Sequence, residues 1–216
     1  MPLKSVVALR FAARTALCGL AAAVLPSAHA YLVSITPGAR SIYLQVGTGT
    51  VSGGTYLAGG TPADNATVNR VSVTVPATAL GTGSQAMTSN STVAISPYDG
   101  FAFCAPPAQV YVGGFFRRPG AGGGGGNATL SVTTPAALVN AASDTIPFTD
   151  ISWVSGGSGD PTPTIPSGTF TGAVQTLLSF GRNQWFESCL SFSYANTQPV
   201  PAGTFNGRAT YTLTAP

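Results

Sequence analysis

The chain has 216 residues and a formal net charge of +3, yet only 7% of its residues are charged. Its sole lysine and sole histidine, Lys4 and His29, both lie in the first thirty residues. The remainder has no histidine base for a serine or cysteine hydrolase, and its two cysteines alone cannot close a zinc site.

Lys4, Arg10 and Arg14 frame the start, Ala16 to Leu25 is apolar, and Ala28-His29-Ala30 supplies the small-x-small pattern of a cleavage site. This is the layout of a secretory signal peptide, bacterial in character, and it places the cut between Ala30 and Tyr31. The apolar run is ten residues long, half of the roughly 20 that a membrane-spanning helix needs. Cys18 follows Leu17, where lipidation wants a small residue, so no lipid anchor is expected. Removing residues 1–30 leaves six arginines against five aspartates and Glu187, a net charge of zero. The basic balance of the full chain is therefore no sign of nucleic-acid binding, which demands a clustered positive face. No membrane span is expected once the signal is gone.

Residues 31–216 are expected to form a single β-sandwich domain. Valine, threonine and aromatics recur in short runs, while 27 glycines and 17 prolines interrupt any long helix. Ile42, Leu44 and Val46 alternate with polar neighbours. Ser52 to Asn69 is rich in glycine, threonine and asparagine and reads as a long loop or loose edge strand. Strands are predicted at 70–75, with Val71, Val73 and Val75 on one face, and at 92–95. Asp99-Gly100 is a turn pair. Further strands are predicted at 109–116, 129–134, 148–154, 173–180, 190–194 and 208–214. The last two alternate large apolar residues with serine or threonine, the mark of a sheet wet on one face. Strands at this spacing, joined by polar turns, predict an antiparallel sandwich with long Gly-rich loops. Small residues collect at Pro135 to Ser143, which reads as a loop inside one sandwich rather than a domain boundary.

Cys104 and Cys189 are the only cysteines of the mature chain. In an exported protein two cysteines most often form one disulfide; a free reactive thiol is the alternative.

Acid chemistry has few candidates. Asp144 and Asp150 would lie ~20 Å apart on one extended strand, and Asp160-Pro161 is turn chemistry. Glu187 lies between Trp185 and Cys189, where it reads as a structural ion pair with Arg182 or Arg208, or as a solvated acid. Catalysis by Glu187 with an aspartate is the third reading, after the two functional ones below. The N-x-S/T triplets at Asn65, Asn90 and Asn127 arise easily in so threonine-rich a chain and are not read as glycan sites.

Two binding features stand out. Phe115, Phe116, Arg117 and Arg118 flank the almost pure glycine stretch 120–126, and paired phenylalanines with arginines suit contact with a partner. Trp185 is expected to be exposed and Trp153 to be core, so Trp185 is the candidate for stacking on a sugar ring.

Gly203 stands fourteenth from the end, and Phe205, Gly207, Ala209, Tyr211, Leu213 and Ala215 alternate after it. This resembles the C-terminal strand of bacterial fimbrial subunits of the chaperone–usher type, and the composition is similar to that of spore-coat-U-like secreted subunits. The resemblance implies immunoglobulin-like domains that lack one strand and complete one another by strand addition. It implies that Gly203, Phe205, Ala209, Tyr211 and Leu213 form an assembly strand, that residues 31–46 are donated to a neighbour, and that other pilus subunits and a periplasmic chaperone are partners.

These readings predict an exported, non-enzymatic, all-β protein with an antiparallel immunoglobulin-like sandwich and neither cofactor nor metal. It would be structural or adhesive, secreted, periplasmic or at the cell surface, as a subunit or tip of a pilus or similar filament. A secreted glycan-binding module is the alternative.

Overall fold

The computed structural model describes residues 34–55, 59–62, 69–120, 126–156 and 164–216. The expected signal and its cut at Ala30–Tyr31, Asn65, residues 121–125 and Asp160 lie outside the described residues. Within them, fifteen strands form: β1 Ser41–Val46, β2 Gly49–Thr55, β3 Gly59–Pro62, β4 Val71–Ser72, β5 Gln85–Ala86, β6 Thr88–Ser89, β7 Val110–Arg117, β8 Ala128–Thr133, β9 Ala137–Val139, β10 Thr145–Pro147, β11 Ile151–Gly156, β12 Gly168–Thr169, β13 Val174–Phe180, β14 Gln184–Tyr194 and β15 Thr210–Thr214. The two helical elements are single 3-10 turns, Ala77–Ala79 and Phe148–Asp150.

A large sheet runs in the order β12-β11-β14-β7-β1-β2-β3, with β5 also on β14, and a small sheet runs β13-β8-β15. Two short ladders, β9 with β10 and β4 with β6, complete the set. Every ladder is antiparallel. Ile42, Val112, Phe116, Phe186 and Leu190 of the large sheet meet Leu130, Val132, Phe180 and Leu213 of the small one in a single buried cluster. The protein is an antiparallel all-β sandwich.

Alternation explains which face each strand buries. In β15, Leu213 is buried and Tyr211 half-buried, while Thr210, Thr212 and Thr214 are exposed. In the 70–75 segment Val71, Val73 and Val75 share the half-buried side as expected, though only Val71 and Ser72 join a ladder. The edge-strand reading of Ser52 to Asn69 is realised as part of β2 and as β3, at the rim of the large sheet. Two expectations are corrected. Residues 148–150 form a 3-10 turn that joins β10, ending at Pro147, to β11. Residues 92–95 form no strand; Ile95 makes an isolated bridge with Ala102 instead.

β1, β7 and β14 lie side by side, and their register decides what stands where. Tyr43 is opposite Phe115, which is opposite Trp185. One step along, Gln45 is opposite Gly113, which is opposite Glu187. Both rows point away from the main core. β1 is thus held between β2 and β7 of its own chain.

Candidate functional site

The outer face of the large sheet is covered by an irregular flap, residues 91–105. β14 presents three side chains to it at alternate positions, and each grips one flap residue. The Trp185 ring meets Tyr98 with centroids 5.1 Å apart. Glu187 Oε2 accepts a hydrogen bond from Ser96 Oγ at 2.8 Å. Cys189 is disulfide-bonded to Cys104, with their Cα atoms 5.5 Å apart, so the expected bond is formed. Val93 and Phe103 close the space above Tyr111, forming a small second core with the two cysteines.

Ordinary turn chemistry shapes the tip of the flap. Ser96 N–H donates to Phe101 O at 2.9 Å and Gly100 N–H to Ser96 O at 3.0 Å. Tyr98 N–H donates to Ser96 Oγ at 3.1 Å and Phe101 N–H to Asp99 Oδ1 at 2.9 Å. Gly100 sits at φ +80°, a left-handed conformation that glycine adopts without steric cost. Asp99-Gly100 is therefore the turn that the sequence indicates.

This turn lifts apolar side chains into solvent. Ile95, Tyr98 and Phe101 are 57%, 42% and 73% exposed. They are three of the six exposed large hydrophobics among the described residues, and they fall within seven positions. Such clustering marks contact surfaces. Behind Tyr98 stands a triangle of rings, Tyr43, Phe115 and Trp185, with every pair of centroids 5.7 to 5.9 Å apart.

Below the flap the chemistry is polar. Tyr111 Oη donates to the same Glu187 oxygen at 2.9 Å. Tyr43 Oη donates to Gln45 Oε1, and Gln45 Nε2 donates to Gly47 O at 2.9 Å. Burial, then the neighbouring Glu187 charge, pushes the Tyr111 hydroxyl well above its ordinary pKa; burial alone raises that of Tyr43. Both hydroxyls stay protonated donors at physiological pH. Glu187 is therefore neither the surface acid nor the arginine partner expected, but a buried carboxylate capped by two hydroxyls. Among the described residues no group of three or more His, Cys, Asp or Glu side chains could hold a metal ion.

The residues expected to bind a partner are only partly brought together. Phe115 is half-buried in the aromatic cluster, while Phe116, its neighbour on a two-faced strand, is fully buried in the main core. Trp185 is 4% exposed rather than free, because Tyr98 and the flap lie over it; Trp153 is core as expected. Arg117 is half-buried and its Nε donates to Ala39 O at 3.3 Å. Arg118 N–H donates to Asn183 Oδ1 at 3.0 Å. Asp144 is tied into its own turn, accepting from Asn140 Nδ2 at 2.9 Å.

At the C-terminal end, Gly203 lines a shallow cleft of about 630 Å³ with Val139, Asn140 and Asn206. Phe205 is half-buried, Ala209 and Tyr211 pack on the main core, and Leu213 belongs to it. β15 forms one rim of the small sheet, paired to β8. Among the described residues no helix is long and apolar enough to cross a membrane. No protein-family model, no curated protein and no solved structure matches the chain.

Proposed function

We propose that this chain is an exported, non-enzymatic β-sandwich that works by contact, as a structural or adhesive subunit or tip component of a bacterial surface filament. The observation that carries the reading is the flap tip. Ile95, Tyr98 and Phe101 stand exposed on a turn tied to the sheet by a disulfide, a carboxylate and a tilted ring contact. A rigid apolar tip binds without the ordering cost of a mobile loop. Two further features support the reading: the sequence of an export signal, and a disulfide, which suits the periplasm or the cell exterior. The place of β15 at a sheet rim supports the filament version, since strand addition proceeds at such rims. The exposed Tyr98 ring beside Asp99 favours a glycan as the second reading of the same tip.

The test displays the mature chain on bacterial cells and measures adherence to polystyrene and to immobilised glycans. Phe101→Ser with Ile95→Ser is expected to lower adherence at least about tenfold, the scale of one interface hot spot, with the melting temperature unchanged. Adherence that ignores the tip, in a folded variant, would sink the proposal. Loss on glycans alone would decide for the second reading.

A further inference from the structure

We infer that Glu187 is a positioning residue for the contact tip: acting through Ser96, its carboxylate sets the turn that presents Tyr98 and Phe101. The inference rests on the reading of that tip as the contact element.

Ser96 is 1% exposed and every polar group it owns is committed. Its N–H goes to Phe101 O and its C=O takes Gly100 N–H. Its hydroxyl oxygen takes Tyr98 N–H. A hydroxyl has one hydrogen, and here it is spent on Glu187. That bond fixes the rotation of the hydroxyl and so aims its lone pairs at Tyr98 N–H. Without an acceptor at position 187, the same hydrogen competes for other acceptors and the turn loses its reference to the sheet.

Attachment alone does not account for a carboxylate here. Cys189, two residues along the same face, already ties the flap covalently. Trp185, two residues the other way, adds ring contact. Glu187 is 2% exposed, and burying a charge carries a desolvation cost that an apolar side chain would avoid. What the carboxylate adds is direction. It receives Tyr111 from β7 and Ser96 from the flap on a single oxygen, and so registers the tip against two strands at once. Buried polar groups that fix register in this way are a known use of such costly placements.

The test is amide hydrogen exchange, read residue by residue, on Glu187→Met, Glu187→Gln and Ser96→Ala. For Met, exchange at Tyr98 and Gly100 is expected to accelerate about tenfold or more, and for Ala exchange at Gly100, as for a locally opened segment, with the amides of β7, β8 and β14 unchanged. Gln keeps an acceptor oxygen and should restore most of the protection, which a merely structural role would not require. Should Met fail to fold, Ser96→Ala carries the test at Gly100 alone, since it removes the same bond from the flap side but also takes away the acceptor of Tyr98 N–H. Unchanged exchange at the tip, or equal acceleration across both sheets, overturns the inference. Adherence of the same variants separates the two readings. A loosened tip that still adheres would sink the contact function and leave the positioning role standing. An adherence that needs Phe101 but tolerates Ser96→Ala, with tip exchange unchanged, would do the reverse.

Discussion

β14 has two faces, and they are closed by different physics. On the inner side Phe186 and Leu190 enter the main core, where their neighbours come from strands of the opposite sheet. On the outer side Trp185, Glu187 and Cys189 meet a flap with no ladder of its own beyond the bridge of Ile95 with Ala102. Inner closure is non-directional: many apolar contacts, each weak and replaceable. Outer closure adds to a small apolar patch, Val93 and Phe103 on Tyr111, a set of single links: one ring, one carboxylate and one covalent bond. A segment whose backbone bonds run within itself rather than to the sheet cannot rely on a small area alone, so each link must be specific.

The largest break of this comparison is on the inner side. Phe186→Ala empties a fully buried site and is expected to cost about 3–5 kcal/mol, seen as a fall in the urea midpoint. Because the strand is shared, the outer face should be lost in the same transition. Two separate transitions would mean that the faces are not coupled through β14.

Removing the disulfide acts on the other side. Cys104 and Cys189 are 85 residues apart, and Cys104→Ala with Cys189→Ala is expected to cost about 2–4 kcal/mol. Here the two faces should come apart in sequence. Quenching of Trp185 fluorescence should rise before the sheet signal falls, since Tyr98 loses its nearby anchor while the inner core persists. Equal melting temperatures for the variant and the oxidised protein would contradict the latch.

The two faces also differ in how well the sequence displays them. The inner pattern is local. In β15 and the residue before it, Ala209, Tyr211 and Leu213 turn inward and the threonines outward, and the 2-residue period states this directly. The outer pattern is not local. Val93 and Ile95 look like a strand by propensity, but their segment answers to β14, far along the chain, and becomes a flap. Trp185 lies among polar residues and so reads as exposed; the Tyr98 ring that covers it belongs to that distant flap. Glu187 invites an arginine partner for the same reason, since nothing nearby in sequence announces Ser96 and Tyr111. Two signals were available. The stretch Val110–Phe116 does not alternate, which is the pattern of a strand buried on both faces. The cysteine pair places residue 104 against residue 189, and with the Asp99-Gly100 turn it puts a hairpin over Trp185.

The smallest expected effect separates the faces within a single dipeptide. Gly113 and Gly114 are adjacent in β7 and point to opposite sides. A methyl at Gly114 would run into the backbone carbonyl of Tyr43 and lie 3.2 Å from Phe186 Cε1. A methyl at Gly113 would meet the hydroxyl end of Tyr111, which lies flat across it to reach Glu187. Backbone cannot yield, but a side chain can. In Gly113→Ala the tyrosine should swing away and leave Glu187 with Ser96 as its remaining hydroxyl donor. The cost is that of one buried hydrogen bond to a charged group, about 1–2 kcal/mol, well below the inner-face change. Alkaline difference spectroscopy reads the same event, because burial and the Glu187 charge both keep Tyr111 from ionising. In the variant one tyrosine should ionise at a lower pH than in the parent. An unchanged tyrosine titration in Gly113→Ala would show that Tyr111 does not depend on the bare backbone beneath it, and that the polar floor of the flap is set by something other than the glycine.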